Sequence, residues 1–298
     1  PVPAEADLVI IQENIDRDGD VATVARPYGP GRHIRKAGSD FRAGDVLLPK
    51  GHRLTWKSLT TAAAADHAQV EVYRAPRVAI LATGDELASP GEAHLKPGSI
   101  PESVSLAIGA LVREHGADLI RSQRFPDEPD QLGAAAKAAL EEADLVIAIG
   151  GASVGERDYS RDMFGRSLDF IFPKVAMKPG KPVWMAKAGA RFIVGLPGNP
   201  TSALVTARLL LVPLLEGLSG ASAQAALQFR REMCRDALPQ CGGREAFLRA
   251  IRTPDGLVLA NSQESSSQQV LALADVLIRR AAHAEATEPG AMVEIVDF

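Results

Sequence analysis

The sequence has 298 residues, and its 33 Lys and Arg against 37 Asp and Glu give a formal net charge of −4. A hydrophobic content of 46% is typical of a globular protein, while the small negative charge and 5% aromatic content argue against a nucleic-acid binder. No apolar run reaches the length of a membrane span and two cysteines cannot build a disulfide framework, so we expect a cytoplasmic protein.

Residues 1–74 have the composition of short strands joined by turns. β-Branched residues between Asp, Gly and Pro predict strands at 7–12, 20–25 and 69–73. The spaced glycines of 38–54 fit the same pattern. The N-terminus has no signal-peptide core, and we expect it to begin inside a longer protein.

Residues 75–218 alternate between strands and helices, which predicts a parallel sheet with βαβ crossovers. The strands are continuously apolar, which is typical of a sheet covered by helices on both faces. We therefore predict a central three-layer α/β/α domain. Its strands are expected at 77–82, 117–120, 144–149 and 192–196, and its helices at 102–115, 128–142 and 199–215.

Residues 219–298 return to a β pattern and predict a small C-terminal β-barrel or sandwich. Strands are expected at 247–251, 256–260 and 292–296. The stretch 270–277 fits either a strand or a short helix.

Ligands of open α/β sheets bind at the carboxyl ends of the strands, and three strand ends here carry unusual residues. The first is Thr83-Gly84-Asp85-Glu86, where two carboxylates directly follow a buried strand. A helix that starts with an acidic first turn explains the same residues equally well.

The second strand end is glycine-rich. Gly150, Gly151 and Gly155 leave backbone N–H groups free to form an anion-binding nest, Ser153 adds a hydroxyl, and Asp158 follows within reach of a metal. The alternative is a plain turn, although three glycines exceed what a turn needs. No Gly-Lys-Ser/Thr follows, so this is not a P-loop.

The third strand end runs from Pro197 to Ser202 through Gly198. Asn199 is a good helix N-cap and Pro200 suits the first helical position, so a well-capped helix is a sufficient explanation. The same helix N-terminus would attract an oxyanion, with Ser202 adding a hydroxyl.

The charge distribution favours ligand binding over the structural alternatives. Residues 170–215 contain no Asp or Glu but six Lys and Arg, so this stretch carries +6 and the rest of the chain −10. Lys178 and Lys181 lie on the turn 177–182, which two prolines make rigid. A solvated hairpin is the alternative. Together with Asp85, Glu86 and Asp158, the lysines predict a site for a phosphorylated ligand and a divalent cation.

A zinc site lacks its motif, because the six His residues are scattered with no pair at metal-ligand spacing.

These strand ends, in this order, resemble the molybdopterin molybdenumtransferase family, which comprises the MoeA proteins and the E domain of gephyrin. The resemblance spans almost the whole chain. The matching segments are ATGDEL (82–87), IGGASVGERDY (149–159), MKPGKP (177–182) and LPGNPTSALV (196–205), with HIRKAGSDFRAGDVLLPKG (33–51) before them and FLRAI (247–251) and SSSQQVLALADVLI (265–278) after them.

The resemblance implies a molybdopterin-binding type of central domain, flanked by a β-rich segment (1–74) and a C-terminal β domain (219–298). It implies an enzyme that inserts molybdate into adenylylated molybdopterin with Mg²⁺ and releases AMP. Asp85, Glu86 and Asp158 match the family's acids and imply metal ligands. Lys178 and Lys181 match its lysines. The residues that match its ligand-binding loops are Asp40, Thr83, Gly84, Gly150, Gly151, Ser153, Gly155, Pro197, Gly198, Asn199, Pro200 and Ser202.

The resemblance also implies a homodimer, with molybdopterin adenylyltransferase and molybdoenzymes as partners. Two departures stand out: the family's Met-Asp-Gly-Tyr-Ala segment is not in this sequence, and Val104 stands where the family has Asn. Two alternatives therefore stay open. One is the sibling adenylyltransferase, and the other is a non-catalytic molybdopterin-binding or scaffold homologue.

Overall fold

The computed structural model describes residues 2–26, 33–150, 159–165 and 168–298. The chain divides into two compact units, residues 1–70 and 71–298.

In its described residues, the first unit contains one β-hairpin, one α-helix and a short 3-10 helix (Gln12–Asn14). Strands β1 (Ile15–Asp18) and β2 (Val21–Val24) pair antiparallel, which confirms the strand predicted at 20–25. The strand predicted at 7–12 is wrong, and so is that at 69–73, where the first unit gives way to the second. Both stretches have β propensity, but no neighbouring strand pairs with them, and propensity alone does not make a strand.

Helix α1 (Trp56–Ala64) lies in a stretch of the β-rich region for which no element was predicted. Thr55 caps it, because its hydroxyl accepts from the Ser58 N–H while the Ser58 hydroxyl accepts from the Thr55 N–H. This reciprocal capping and the run of alanines favour the helix.

The second unit comprises the remaining elements of the described residues. They are β3 (Arg77–Thr83), β4 (Leu87–Ala88), β5 (Ile100–Pro101), α2 (Val104–Glu114), β6 (Asp118–Phe125), α3 (Pro129–Glu142), β7 (Leu145–Ile149), α4 (Tyr159–Asp162), β8 (Asp169–Phe172), β9 (Met177–Lys178), β10 (Trp184–Ala188), β11 (Arg191–Leu196), α5 (Pro200–Thr206), α6 (Val212–Leu218), β12 (Arg230–Cys234), β13 (Glu245–Thr253), β14 (Gly256–Leu259), β15 (Val276–Arg280) and β16 (Ala291–Asp297).

The α/β part is built on a six-stranded sheet in the order β6-β3-β7-β11-β10-β8. The first four strands are parallel, and β10 and β8 add antiparallel at one edge. Alternate residues of the central strands enter two separate cores: Ile80 and Ile147 lie in one, Leu81 and Ala148 in the other. Both faces of the sheet are therefore buried, as the continuous apolar strands predicted.

Helices cover the two faces, which confirms the three-layer arrangement. Ile108 of α2 and Val205 of α5 pack in the first core, and Leu132 of α3 packs in the second. These helices begin within two residues of their predicted starts.

The helix that starts at Pro200 runs to Leu218 and contains a π-helical turn over Ala207–Leu211. Pro213 follows that turn, and a proline inside an α-helix lacks the N–H and crowds the carbonyl four residues earlier, so a wider turn accommodates it. The helix is long and apolar enough to cross a membrane, and 56% of its most apolar window is buried, as in a core helix.

The C-terminal strands form a closed five-stranded barrel, which confirms the predicted barrel. Its order is β14-β12-β16-β15-β13, and pairing of β13 with β14 closes the ring. Strand β9 then pairs in parallel with β13. The predicted domain boundary at 218 stays a prediction, since a strand from the α/β region joins the barrel sheet.

Asp144 links the amino ends of the adjacent strands β3, β7 and β11. It lies at the edge of the sheet opposite to the carboxyl ends of these strands. Its carboxylate accepts from Arg74 at 2.6 and 3.0 Å, from Arg191 at 3.0 Å and from the Arg77 N–H at 2.8 Å. These contacts, led by the hydrogen bond to Arg74, lower the pKa of Asp144 to about 2.

Replacing this carboxylate should therefore destabilise the α/β sheet. We expect Asp144→Asn to lower the free energy of unfolding at pH 7 by about 2 kcal/mol, the equivalent of the pKa shift. Because the folded pKa is the lower one, the wild-type advantage should be lost as pH falls from about 4 to about 2.

Urea unfolding of both proteins across pH 2–7 tests this prediction. Asp255→Asn is the matched control, because Asp255 is 77% exposed and lies 3.5 Å from Arg235 in a surface pair. We expect it to cost less than about 0.5 kcal/mol. Equal losses in the two variants would show that the Asp144 contacts contribute little.

Candidate functional site

The parallel sheet aligns the carboxyl ends of the strands that were predicted to carry the site. In the register of the parallel strands, Ala82 and Leu196 both lie beside Ile149, and Thr83 lies beside Phe125. The residues that follow these four strands therefore meet at the carboxyl edge, where open α/β sheets bind their ligands.

A cavity of about 810 Å³ opens at this edge, and we call it the strand-end cavity. It contains residues from all four strand ends, together with the start of α2. The residues that matter for its chemistry are Thr83, Gly84, Glu86, Val104, Asp127, Gly150, Pro197, Gly198, Asn199, Pro200 and Ser202.

Gly150 makes the closest backbone approach in this cavity. Its φ is +100°, and a Cβ on it would lie 2.4 Å from the Thr83 carbonyl oxygen. Gly198 packs on its other side, since a Cβ there would lie 3.4 Å from the Gly150 Cα. Only glycine fits at 150, so the predicted need for glycine at this strand end has a steric basis.

Carboxylates gather on one side of the cavity. Glu86 folds back over Gly84, so that its Oε1 would lie 2.9 Å from a Cβ on that glycine. Asp85 accepts a hydrogen bond of 3.1 Å from the Asp127 N–H. Burial, followed by the charges of Asp85 and Glu86, raises the pKa of Asp127.

Asp127 was not among the predicted site residues. The sequence predicted the preceding strand only to residue 120, whereas β6 runs to Phe125 and brings the next loop to the cavity. Within the described ranges, no group of three or more His, Cys, Asp or Glu is arranged to hold a metal ion.

The loop after β11 has the structure that its capping residues predicted. The Asn199 side chain accepts from the Ser202 N–H at 3.4 Å, and Pro200 begins α5. Ser202 is 8% exposed and lies on the wall of the strand-end cavity. The cap therefore places a helix start and a hydroxyl beside the glycines.

The two predicted lysines lie in a second, adjoining cavity of about 970 Å³, the lysine cavity. Its walls are the turn 178–182 on one side and barrel residues on the other. It shares Pro182, Ser202 and Ser266 with the strand-end cavity. Lys178 and Lys181 are exposed, so the lysines and the glycines occupy neighbouring spaces rather than one.

Arg249 of β13 adds a buried positive charge to the lysine cavity, and the sequence prediction missed it. It is 1% exposed, and its guanidinium donates to the carbonyls of Ser262 and Glu264 at 3.3 Å each. Burial lowers its pKa, and no carboxylate offsets that effect. A buried guanidinium without a counter-ion is costly unless an anion joins it.

The +6 charge predicted for 170–215 is not one surface. Arg191 pairs with Asp144, Arg208 donates to the carbonyls of Asp297 and Ala226, and Lys187 lies over the Phe192 ring. Of the six basic residues of this stretch, the two lysines of the turn line the lysine cavity, and none lines the strand-end cavity. The barrel supplies the other basic residues of the lysine cavity, which are Arg244, Arg249 and Arg280.

The remaining predicted residues fall into two groups. Gly151, Ser153, Gly155 and Asp158 lie outside the described residues. Asp40 is exposed and belongs to the first unit. Val104, the departure from the family pattern, is 5% exposed and contributes an apolar wall to the strand-end cavity.

Comparison with known proteins identifies similar chains. The chain is 38% identical over 227 residues to molybdopterin molybdenumtransferase 2 of Mycobacterium tuberculosis, covering 74% of this chain and 56% of that protein. It is 38% identical over 221 residues to molybdopterin molybdenumtransferase of Haemophilus influenzae, covering 74% and 54%. The chain thus spans little more than half the length of these curated relatives.

Solved structures agree with these relatives. Two crystal structures of the molybdopterin biosynthesis MoeA protein from Pyrococcus horikoshii superpose with TM-scores of 0.80 and 0.78, at 28% and 25% identity. Each match covers 98% of this chain and 72% of the other.

Three family models match the chain in succession. They are the MoeA N-terminal region (domain I and II) over 1–65, the "Probable molybdopterin binding domain" over 79–217, and the MoeA C-terminal region (domain IV) over 233–298. The matches follow one another in the order of a single family and leave only short gaps. The chain therefore belongs to the MoeA family of molybdopterin molybdenumtransferases.

Proposed function

We propose that the chain takes part in molybdenum cofactor biosynthesis by inserting molybdate into adenylylated molybdopterin with release of AMP. The observation that supports this most is the adjoining pair of cavities. One combines glycine backbone with carboxylates, the other combines lysines with a buried arginine, and Pro182, Ser202 and Ser266 belong to both. The names of the relatives point to the same transfer.

In this proposal the strand-end cavity holds the pterin nucleotide. Gly84, Gly150 and Gly198 contribute only backbone to the cavity wall, and the helix start at Asn199 favours a negatively charged group. A water oxygen forms a new bond to the AMP phosphorus as the phosphoanhydride P–O bond breaks, so that AMP leaves, the bridging oxygen stays on the molybdopterin phosphate and the protons of the water pass to solvent. This step depends mainly on positioning and charge stabilisation.

The lysine cavity holds the molybdate dianion in the same proposal. Lys178 and Lys181 supply charge from the rigid turn, and Arg249 supplies a planar fork of donors from the barrel. Ser202 and Ser266 lie where both ligands meet. An oxyanion bound here would neutralise the buried guanidinium and lie beside the pterin.

We place Mg²⁺ on the acidic side of the strand-end cavity, although the described carboxylates do not by themselves form a three-ligand group there. Glu86 and Asp127 line the cavity and Asp85 accepts from the Asp127 N–H, and carboxylate oxygens are the hard ligands that Mg²⁺ prefers. Asp158, outside the described residues, is the fourth acid we assign to it. When bound, Mg²⁺ would neutralise phosphate charge. The protein's own contribution is to hold these carboxylates beside the glycines.

Two further functions stay as alternatives. Molybdopterin adenylyltransferase activity would use the strand-end cavity alone, and a non-catalytic scaffold would keep the fold without turnover. Adenylyltransferase activity would give the basic lysine cavity no ligand. A non-catalytic scaffold would not explain why a guanidinium is buried there without a counter-ion. As parts of the same proposal we place the protein in the cytoplasm as a homodimer, working with the adenylyltransferase that supplies its substrate and the molybdoenzymes that take its product.

The reaction separates these functions. Incubation with adenylylated molybdopterin, molybdate and Mg²⁺ should release AMP, and omission of molybdate should greatly slow it. Consumption of ATP in the presence of molybdopterin would support the adenylyltransferase. Tight pterin binding without AMP release would support the scaffold.

A further inference from the structure

The side-chain amide of Gln263 pairs with the main chain of Arg249 on both of its polar groups. Gln263 Oε1 accepts from the Arg249 N–H at 2.9 Å, and Gln263 Nε2 donates to the Arg249 carbonyl at 2.8 Å. Nε2 also donates to the Ala260 carbonyl at 3.2 Å. The two bonds to Arg249 copy the pair that a residue of an adjacent antiparallel strand would make.

The Gln263 side chain extends the hydrogen bonding of β13 beyond the point where its pairing with β14 ends. Strand β14 ends at Leu259, and the Ala260 N–H makes the last main-chain bond, to the Arg249 carbonyl. Beyond that point the chain turns around the Arg249 side chain, whose guanidinium donates to Ser262 and Glu264. Gln263, between those two acceptors, therefore fixes the backbone of Arg249 and the loop that holds its guanidinium.

The same loop continues into the shared wall of the two cavities. Ser265 and Ser266 line the lysine cavity, and the Ser267 carbonyl accepts from the Thr201 hydroxyl of α5 at 3.0 Å. The loop is therefore fixed at one end by Gln263 and at the other by α5, whose first residues line the strand-end cavity. A change at Gln263 would move a guanidinium and a serine wall together.

We propose that Gln263 is a positioning residue for oxyanion binding, acting through Arg249. This inference rests on the proposed function, because it assigns the lysine cavity to an oxyanion. Gln263 is half-buried, and the bonds it makes require an acceptor and a donor on one planar group. Glutamate has the same shape but no donor, so its second oxygen would face the Arg249 and Ala260 carbonyls. It would also place a carboxylate beside the guanidinium.

The experiment measures binding of molybdate and of tungstate to the 298-residue chain by calorimetry. We expect Gln263→Glu to raise the Kd for both oxyanions by about tenfold, the size expected when a charge-assisted contact is lost. The Kd for adenylylated molybdopterin without molybdate should change less than about twofold. In the AMP assay, the KM for molybdate should rise while kcat at saturating molybdate is retained.

A double-mutant cycle with Arg249→Met distinguishes positioning from a general structural role. If Gln263 acts through Arg249, Gln263→Glu should change oxyanion affinity by less than about twofold once Arg249 is gone. Gln263→Met, which keeps the side-chain length without a charge, provides the same comparison if the glutamate variant does not fold. Gln228→Glu adds the same charge at an exposed position outside both cavities and should bind like wild type.

The outcomes separate this inference from the proposed function. Oxyanion binding that is unchanged in both Gln263 variants, or additive effects in the cycle, would overturn the positioning role and leave the proposed function in place. Equal losses of pterin and oxyanion affinity would overturn it too. Absence of oxyanion binding by the wild-type chain would overturn both.

Discussion

Arg249→Met is expected to remove most oxyanion binding while changing the stability of the protein little. A charged hydrogen bond contributes about 1.5–3 kcal/mol, so the Kd for molybdate should rise about ten- to hundredfold. Stability should change little, because removal of the desolvated buried charge offsets the loss of the hydrogen bonds to the Ser262 and Glu264 carbonyls. Calorimetric titration and thermal unfolding measure the two effects.

Arg252→Met is the control for Arg249→Met. Arg252 lies on the same strand, but it pairs with Glu232 at 3.1 Å and Asp297 at 2.6 Å and lines neither cavity. Its replacement should keep oxyanion affinity and cost about 1 kcal/mol of stability or less. If Arg249→Met binds molybdate like wild type but unfolds more easily, Arg249 is a structural residue and the lysine cavity is not the oxyanion site.

Gly150→Ala is expected to damage both stability and activity. The new methyl would lie 2.4 Å from the Thr83 carbonyl oxygen, which belongs to the neighbouring strand and cannot rotate away. Overpacking and a positive φ together should cost about 3 kcal/mol. Because Thr83 and Gly84 also line the strand-end cavity, a shift of about 1 Å should reduce AMP release about a hundredfold.

Gly189→Ala is the control for Gly150→Ala, because it tests the cost of a positive φ without the steric clash. Gly189 has a φ of +60°, yet nothing lies within 4 Å of the position its Cβ would take. The substitution should cost about 1 kcal/mol and leave AMP release unchanged. If both glycine variants lose equal stability and keep activity, the contact between Gly150 and Thr83 does not shape the site.

The parallel sheet was predictable from the sequence because its strands are continuously apolar and separated by helices of regular spacing. For β3, β7 and β11 that pattern also indicates where the strand ends, and the parallel register then brings Thr83, Ile149 and Leu196 to one edge. The cap of α5 was predictable for the same local reason, since Asn199 and Pro200 act on their own helix.

The barrel side of the site was not predictable, because it depends on contacts between distant segments. Strand β13 was expected at 247–251, and the one signal it offered was Arg249, a charged residue inside an apolar strand. Nothing in the local sequence shows that β9 pairs with β13 or that the Gln263 loop closes around that arginine. Asp127 was missed because eight-residue β6 contains polar residues that interrupt its strand pattern.

The distribution of charged residues along the sequence also did not predict which of them reach the site. The six positive residues of 170–215 suggested one basic surface, but the fold pairs Arg191 with Asp144 and directs Arg208 to main-chain carbonyls. Net charge along the sequence therefore identified the lysine turn only as one part of a longer stretch. The groups that these two arginines contact, the Asp144 carboxylate and the Asp297 carbonyl, lie far away in sequence.

Anomalous diffraction from a tungstate-soaked crystal tests the central claim, that the lysine cavity holds the oxyanion beside the pterin. If the lysine cavity holds the oxyanion, we expect a tungsten peak between the turn of Lys178 and Lys181 and the guanidinium of Arg249, next to Ser266. A tungsten peak in the strand-end cavity or elsewhere, with the lysine cavity empty at saturating tungstate, would contradict it.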